Sequence, residues 1–254
     1  MTTLTVLGSS GGSPTRTNPA SGYLLTSGAT SIWLDAGTGT FLALSGHMDP
    51  GTLSAVVISH IHVDHCSDLF GLYGYLAHGP SGNVPIPVFV PQGAAEHLSA
   101  FARAGEGHVF HTVFDVTEVA PGDEVDVAGT KLRFGKAIHT VPALVTRVET
   151  GDAVVTYSGD TGPGSDLTGL ANGADLLLCE ASIAGERVGD TYPYHLTAAE
   201  AGSTAKAARV RRLVVTHFAN GVDPATAVVE AKDTFGGPVD SAMPGASFMI
   251  EEER

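Results

Sequence analysis

Three histidines and one aspartate lie within six consecutive residues, in the segment His60-Ile61-His62-Val63-Asp64-His65. The apolar run Ala55–Ile58 directly before it predicts a strand, and the stretch directly after it predicts a helix. Neutral imidazole and carboxylate are ligands that suit zinc and similar divalent ions. Because open α/β sheets present ligands at the carboxyl ends of their strands, the segment predicts a metal site at a strand end.

Short β-branched runs alternate with alanine-rich stretches along the chain, which predicts an α/β fold built in layers. We expect the first three strands to form an antiparallel group, and the capping-box spacing of Thr197 and Glu200 to start a helix. The predicted helices are Gly39–Ser45, Ser67–Ala77, Ala94–Ala104, Leu167–Ala171, Thr197–Ala208 and Pro224–Thr234. The predicted strands are Leu4–Leu7, Tyr23–Thr26, Ser31–Asp35, Ala55–Ser59, Ile86–Val90, Val109–Phe114, Lys131–Ile138, Leu144–Glu149, Ala153–Ser158, Leu176–Cys179, Leu213–Thr216 and Ser247–Glu251.

Composition limits the classes of protein to consider. With 254 residues, 43% of them hydrophobic, the chain can bury one large core, so we expect a single domain over residues 1–254. The net charge of −14 disfavours extended nucleic-acid binding and contact with anionic membranes. Two cysteines are too few for a disulfide scaffold, and no apolar run approaches the roughly 20 residues that span a bilayer. The start of the chain also lacks the features of a secretory signal peptide, so we expect a cytoplasmic protein.

The pattern His60-x-His62-x-Asp64-His65 resembles the signature of the metallo-β-lactamase fold superfamily. The resemblance covers nearly the whole chain, because the further ligand positions follow in order at predicted strand ends. It implies a four-layer αββα sandwich with two metal ions between its sheets. The first ion would be held by His60, His62 and His139. The second ion would be held by Asp64, His65 and His217, and Asp160 would bridge the two.

The chemistry of this ligand set agrees with the resemblance. Two divalent ions about 3.5–4 Å apart can share a hydroxide at neutral pH and neutralise charge on the attacking and leaving oxygens. Such ligands favour Zn²⁺, with Mn²⁺ or Fe²⁺ as alternatives. Taken alone, Asp160 could instead form an Asx turn or cap a helix, and His139 and His217 could be strand-end histidines bonded to backbone.

Several runs resemble the branch of the superfamily that contains ribonuclease Z and small phosphodiesterases. These runs are Leu7–Pro14, Trp33–Thr38, His139–Pro142, Leu178–Ser182 and His195–Thr197. In that branch, a histidine at the position of His195 protonates the leaving oxygen and an acid at the position of Glu180 supports it. The resemblance therefore implies catalytic roles for Asp64, His195 and Glu180. Without it, His195 could simply precede the helix that starts at Thr197, and Glu180 could be a solvated acid at a strand end.

Four other features have weaker interpretations. We expect Asp35 to support a metal ligand through a hydrogen bond, and the glycine turn Ser9–Pro14 to offer backbone N–H groups to an anion. Cys66 and Cys179 are predicted to be buried fillers. His78 borders the glycine- and proline-rich segment 78–87, which we expect to be a loop beside the site.

Differences from ribonuclease Z point to a small substrate. His139 and Asp160 are only 21 positions apart, so the protruding arm with which ribonuclease Z binds tRNA does not fit between them. The run after His139 lacks the Pro-Ser-x-Gly-Tyr motif of that family, and the basic residues are scattered. The runs Pro19–Tyr23, Tyr157–Thr161 and Leu178–Ser182 are most similar to armless actinobacterial enzymes, the atypical class II phosphodiesterases, which hydrolyse cyclic nucleotides.

The sequence therefore predicts a dinuclear metal hydrolase that cleaves a small phosphodiester, cyclic AMP or a similar cyclic nucleotide, by attack of a bridging hydroxide on phosphorus. The alternatives are the hydrolysis of another cyclic phosphate, tRNA 3′ processing as in ribonuclease Z, the hydrolysis of a thioester or lactone, and metal or nucleotide binding without turnover. Because related enzymes are commonly dimers, a homodimer is a further expectation. We expect no membrane partner and no extended nucleic-acid partner.

Overall fold

The computed structural model describes residues 1–79, 84–103, 110–187 and 193–250. Within these ranges no helix is long and apolar enough to cross a membrane. The described residues form strands β1 (Thr2–Gly8), β2 (Gly22–Ser27), β3 (Thr30–Leu34), β4 (Ala55–Val57), β5 (Ile86–Pro91), β6 (Phe114–Val119), β7 (Glu124–Val127), β8 (Thr130–Lys136), β9 (Leu144–Glu149), β10 (Val154–Tyr157), β11 (Leu176–Glu180), β12 (Arg212–Thr216), β13 (Val239–Ser241) and β14 (Ser247–Ile250). The helices are α1 (Thr40–Ser45), α2 (Val63–Cys66), α3 (Leu69–His78), α4 (Ala94–Arg103), α5 (Phe110–Val113), α6 (Leu167–Leu170), α7 (Ala198–Ala207) and α8 (Pro224–Phe235).

The strands form two sheets with the same pairing pattern. The first sheet has the order β14-β1-β2-β3-β4-β5-β6, and the second has the order β13-β12-β11-β10-β9-β8-β7. In the first sheet the pairs β14–β1, β1–β2 and β2–β3 are antiparallel, and the pairs β3–β4, β4–β5 and β5–β6 are parallel. In the second sheet the pairs β7–β8, β8–β9 and β9–β10 are antiparallel, and the pairs β10–β11, β11–β12 and β12–β13 are parallel. The expected antiparallel group β1–β3 is confirmed.

Helices cover the outer face of each sheet, which gives the predicted four-layer αββα sandwich. One core cluster fills the space between the sheets, a second lies between the first sheet and helices α1, α3, α4 and α5, and a third lies between the second sheet and helices α6, α7 and α8. Strand β11 begins with four apolar residues because both of its faces are covered. Leu176 and Leu178 face the inner cluster, whereas Leu177 and Cys179 face the outer one.

The predicted start of helix α7 is confirmed. Thr197 Oγ1 accepts a hydrogen bond from the backbone N–H of Glu200 at 3.1 Å, and the Glu200 carboxylate accepts one from the backbone N–H of Thr197 at 2.9 Å. This reciprocal pair fixes where the chain enters the helix. It therefore also fixes the segment just before the helix, which carries His195.

The predicted strand Val109–Phe114 is wrong. Val109 lies outside the described residues, Phe110–Val113 forms the helical turn α5, and the strand is Phe114–Val119. The apolar side chains around Phe110 suit either structure, but Phe110 packs under α3 and α4, and β6 pairs with β5 from Phe114 onward. Further positions of predicted elements also fall outside the described residues, namely Ala104, residues 80–83 of the predicted loop, and Glu251.

Strands β7 and β13 were not predicted. A two-residue turn joins β7 to β8, with φ of +52° at Ala128 and +85° at Gly129. Such a turn needs positive φ at both positions, and the Asn-Gly or Asp-Gly pair that usually signals it is absent here. Strand β13 has only three half-buried residues, and its short sequence carries no clear alternation.

Candidate metal centre and active site

The candidate site lies where several strands end at one edge of the sandwich. Asp35 follows β3, His60 follows β4, His139 follows β8, Asp160 follows β10, and His217 follows β12. Strands β3 and β4 are parallel neighbours, and so are β10, β11 and β12. Their carboxyl ends therefore meet at one edge, which brings together side chains that are far apart in the sequence.

Three of the predicted ligands form the first cluster. Nδ1 of His62 lies 3.0 Å from Nε2 of His60 and 3.0 Å from Nε2 of His139. Nδ1 of His139 lies 3.2 Å from the carbonyl oxygen of Tyr194, which can only accept a hydrogen bond, so Nδ1 carries the proton. The lone pair on Nε2 of His139 consequently points toward His62.

The same logic applies to His60. Its Nδ1 lies 3.0 Å from Oγ of Ser59, and that hydroxyl donates its own proton to Asp35. Burial lowers the pKa of His60 well below its ordinary value, and burial also lowers the pKa values of His62 and His139. Three neutral imidazoles that turn lone pairs toward one point are suited to a divalent cation.

Asp64, His65 and His217 form the second cluster. Nε2 of His65 and Nε2 of His217 are 3.2 Å apart, and Oδ2 of Asp64 lies 3.5 Å from the former and 3.3 Å from the latter. Nδ1 of His65 is held by Asp35 at 2.7 Å, and Nδ1 of His217 lies 2.7 Å from Oγ of Ser182. The outer nitrogen of each ring is thus engaged, and the inner one faces the cluster.

Asp160 joins the two clusters. Its Oδ2 lies 3.8 Å from Nε2 of His60 and 3.3 Å from Nε2 of His217, and its Oδ1 lies 3.3 Å from Nε2 of His65. The side chain is buried, and Oδ1 accepts no hydrogen bond of acceptable geometry from any described residue. Because a buried carboxylate oxygen needs a partner, a cation at this point would satisfy it. The residues present therefore fit a pair of divalent ions.

Charges among these buried groups compensate one another. Burial disfavours a charge on His65, but the carboxylates of Asp160 and Asp35 raise its pKa well above the ordinary value. Burial likewise disfavours the Asp160 carboxylate, but His217 and His65 lower its pKa well below the ordinary value. Metal binding at Nε2 of His65 would release the proton held there, so affinity for a metal should rise with pH.

A histidine and a glutamate lie beside the two clusters. Nδ1 of His195 is 3.0 Å from Oε1 and 3.2 Å from Oε2 of Glu180, a fully buried residue. The His195 ring stacks on His217, with 5.6 Å between centroids and 11° between planes. Burial opposes a charge on His195, but the hydrogen bond and the charge of Glu180 raise its pKa above 6.5. This arrangement suits a proton donor.

Two contacts hold the backbone of the segment that contains His195. Arg187 forms an ion pair with Glu200 of α7 at 2.7 Å and donates a hydrogen bond to the carbonyl oxygen of His195. Gly162 allows the backbone of Pro193 to approach closely, because a Cβ at position 162 would lie 1.5 Å from the carbonyl oxygen of Pro193. The position of His195 therefore depends on both the start of α7 and the loop that carries Asp160.

The glycine turn Ser9–Pro14 differs from the prediction that it offers N–H groups to an anion. The backbone N–H groups of Ser9 and Ser10 both donate to the carbonyl oxygen of Pro19, and that of Gly11 donates to Phe218. The N–H of Gly12 donates to Oδ2 of Asp64 at 2.6 Å. The turn supports a candidate metal ligand, and these four N–H groups are not available to a substrate.

The structure thus brings all nine predicted site residues together. Six of them line one cavity of about 330 Å³, whereas His60, His65 and Glu180 are fully buried beside these six. Sequence reasoning assigned no role to Ser182, which contacts both Glu180 and His217, or to Tyr157, which donates to Asp35 at 2.6 Å. Both residues lie in runs that were singled out for their resemblance, and that resemblance was the only signal for them. The predicted hydrogen bond to Asp35 from a candidate metal ligand is present, with His65 as the partner.

The remaining candidates are not members of the two clusters. Cys66 and Cys179 are buried free thiols, as predicted, and burial raises the pKa of Cys66 to about 12, so its thiol stays protonated. His78 is exposed at the end of α3, and the loop that it borders includes residues 80–83, outside the described residues.

Comparison with known proteins agrees with the fold. The family model of the beta-lactamase superfamily domain matches residues 30–218. The chain is 35% identical over 254 residues to an uncharacterized protein of Mycobacterium leprae, covering 98% of this chain and 88% of that protein. It is 28% identical over 247 residues to a ribonuclease Z of Mycobacterium bovis, covering 88% of each.

A solved structure gives a further comparison. The "Probable metallo-hydrolase YhfI" of Bacillus subtilis is 29% identical over 245 residues, covering 95% of this chain and 97% of that protein. Its crystal structure superposes with a TM-score of 0.88 at 27% identity, covering 98% of this chain and 100% of that chain. Fold and site together define a metal-dependent hydrolase. The chain belongs to the beta-lactamase superfamily, in agreement with the resemblance found in the sequence.

Proposed function

We propose that the protein hydrolyses small phosphodiesters and that a cyclic nucleotide such as cyclic AMP is its substrate. The observation that carries this proposal is the position of His195, held by Glu180 beside both ligand clusters. A metal centre alone would suit many hydrolases of this fold. A proton donor beside it narrows the choice of leaving group.

The metal ions have a limited and general part in this proposal. The first cluster and the second cluster would each hold one divalent ion, with Asp160 between them. The ligands favour zinc, with manganese or iron as alternatives. Such ions would lower the pKa of a water molecule and neutralise charge on a bound phosphodiester. The residues around them then orient the substrate and move protons.

His195 would protonate the departing oxygen. A ribose alkoxide is a poor leaving group unless it receives a proton, and an imidazole that titrates near neutrality supplies one efficiently. Glu180 keeps Nδ1 engaged and favours the charged imidazolium, so the proton would leave from Nε2. A thiolate leaves without such help, since thiols have pKa values of about 8.5. The donor therefore supports phosphodiester over thioester hydrolysis.

The surface charge supports a small substrate over tRNA. The basic cluster of the sequence, Arg209, Arg211 and Arg212, lies at the start of β12, whereas the site lies at its end. Asp175 and Asp240 form ion pairs with Arg211 and Arg212. Only residues 150–153 connect β9 to β10, so this stretch contains no long arm. The similarity to a relative named ribonuclease Z supports chemistry at phosphorus. For the same reason, tRNA processing is the alternative function.

The remaining proposals concern the cellular location of the protein and its partners. We propose that the enzyme acts in the cytoplasm, where its two buried free thiols would remain reduced. We also propose a homodimer, without a membrane or an extended nucleic acid as partner. Size-exclusion chromatography with light scattering would measure the number of chains, and a monomer at all accessible concentrations would contradict the dimer.

A hydrolysis panel tests the proposed function. Purified protein is analysed for bound metal and then incubated with cyclic AMP, bis-p-nitrophenyl phosphate, an acyl thioester and a precursor tRNA. The proposal predicts hydrolysis of the first two and no specific tRNA cleavage. Activity on the thioester alone would contradict it in favour of an acyl hydrolase, and cleavage at the 3′ end of the tRNA domain would contradict it in favour of a nuclease.

A further inference from the structure

A second cavity, of about 380 Å³, adjoins the candidate metal centre and shares His139 with it. It opens between the two sheets. The ends of β5 and β6 contribute Pro91 and Val119, and the start of β9 contributes Leu144. Its volume lies within the range of about 300–1,000 Å³ that is usual for small-molecule sites. We call this cavity the apolar slot.

Most of the residues that line the apolar slot are apolar. Pro91, Pro121 and Pro142 contribute rings without a backbone N–H group, so these positions leave no unsatisfied donor in the wall. Val119 and Leu144 are only 2% exposed and belong to the core between the sheets. Such walls favour a flat, uncharged group over a phosphate or a water-filled space.

Besides the shared His139, the polar residues that line the slot are Gln92, Lys136 and Thr140. Gln92 offers both a donor and an acceptor, and Lys136 offers donors. Both side chains are exposed, and the Lys136 ammonium forms no ion pair with any residue in the described ranges. A saturated acyl chain would make no use of these groups. A heteroaromatic ring with hydrogen-bonding edges would use them together with the apolar walls.

We propose that the apolar slot binds the nucleobase of the substrate while the phosphodiester lies at the metal centre. Because His139 lines both cavities, they are neighbours, and in this proposal one ligand reaches from the metal centre into the slot. The proposal rests on the proposed function, because it identifies which part of a cyclic nucleotide is recognised away from the reacting phosphorus. Lys136 and Gln92 would contact the edge of the base, and Val141 would contact its face.

The test compares substrates with and without a base. Values of kcat/KM are measured for cyclic AMP and for a cyclic ribose phosphate that lacks the base. Val141 is half-buried in the slot, so Val141→Trp should fill it without disturbing the core. Val229→Trp is the matched control, since Val229 is 59% exposed on α8, away from the residues that line the slot.

In the wild-type protein the base should raise kcat/KM by about tenfold or more, the usual effect of filling an apolar pocket. Val141→Trp should reduce the ratio of kcat/KM between the two substrates by about tenfold, and Val229→Trp should not change that ratio. Lys136→Met should lower the ratio severalfold through a higher KM for cyclic AMP. An unchanged ratio in both Val141→Trp and Lys136→Met would overturn the proposal.

A binding measurement separates this proposal from the proposed function. Adenosine, which has no phosphate, is titrated into metal-loaded protein and its binding is followed by NMR chemical shifts. Binding that weakens in Val141→Trp and persists in Val229→Trp supports the slot even if cyclic AMP is not hydrolysed. Absence of adenosine binding to the wild-type protein overturns the slot even if cyclic AMP is hydrolysed.

Discussion

Nδ1 of His65 lies 2.7 Å from Oδ2 of Asp35, and both side chains are fully buried. The same carboxylate accepts hydrogen bonds from the hydroxyl of Tyr157, from Oγ of Ser59 and from the backbone N–H of Ser59. Asp35 has a φ of +56°, which is uncommon for a residue other than glycine. The dense hydrogen bonding compensates for that backbone conformation and fixes the ring of a candidate metal ligand.

Asp35→Asn should weaken metal binding by about 10–100-fold, because the amide no longer favours the proton on Nδ1 of His65. Competition with a coloured chelator measures the affinity. Tyr157→Phe is the control, since it removes one donor to Asp35 and leaves His65 in contact with the carboxylate. It should have a smaller effect than Asp35→Asn. Equal affinity of wild type and Asp35→Asn would show that Asp35 does not position the ligand.

Asp160→Ala should lower the bound metal below two equivalents per chain and abolish hydrolysis. The side chain spans both clusters, so its loss removes one ligand from each proposed ion. Inductively coupled plasma mass spectrometry on the desalted protein gives the metal content. Circular dichroism must show that the variant is folded. A folded variant that keeps two equivalents of metal would exclude a bridging role for Asp160.

His195→Ala should leave the metal content unchanged and lower kcat by about 10²–10⁴-fold, the usual contribution of a general acid. His195 is not part of either proposed ligand set, although it stacks on His217. Metal content and kcat are measured on the same preparation. Loss of metal from His195→Ala would indicate that the residue is a ligand rather than the acid.

Glu180→Gln should move the alkaline limb of the kcat profile to lower pH. The acid must be protonated, so activity falls as pH rises through the pKa of His195. Glu180 raises that pKa against the effect of burial, and the neutral amide should do so less. The profile is recorded from pH 5 to pH 9 with saturating metal. An unchanged limb would show that another group donates the proton.

Gly162→Ala should lower kcat without loss of metal, because the new Cβ displaces Pro193 and, with it, the nearby His195. Gly169→Ala in helix α6 is the matched control, since a Cβ there meets nothing within 4 Å. Steady-state kinetics and metal content are compared for the two variants. Wild-type kcat in Gly162→Ala would contradict the dependence of His195 on this close approach.

The segment His60–His65 was the most informative part of the sequence, because ligand chemistry and a strand end coincide there. Asp160 and His217 were placed near it by the family resemblance, and in the structure each follows a strand that ends at the same edge. The hydrogen bonds around them could not be foreseen. Tyr157 meets Asp35 across 122 positions because the two sheets pack face to face, and Ser182 meets His217 across 35 positions because β11 and β12 are parallel neighbours in one sheet.

The errors in the fold have local causes. Strand β6 was placed too early because the apolar residues near Phe110 fit a strand as well as a buried helical turn. Strand β7 was missed because Ala128 adopts a positive φ that its residue type does not signal. The glycine turn after β1 was interpreted as an anion site because its backbone donors are invisible in sequence. In the fold they are used by Pro19, Phe218 and Asp64.

The most direct test of the account is a metal titration of the chelator-treated protein with cyclic AMP hydrolysis as the readout. Zinc is added in substoichiometric steps, and the product is quantified by ³¹P NMR. The account predicts no hydrolysis without metal, a rise as the ions bind, and a plateau at two equivalents per chain. Hydrolysis in the metal-free protein, a plateau at one equivalent, or two bound ions with no phosphodiester cleavage would contradict it.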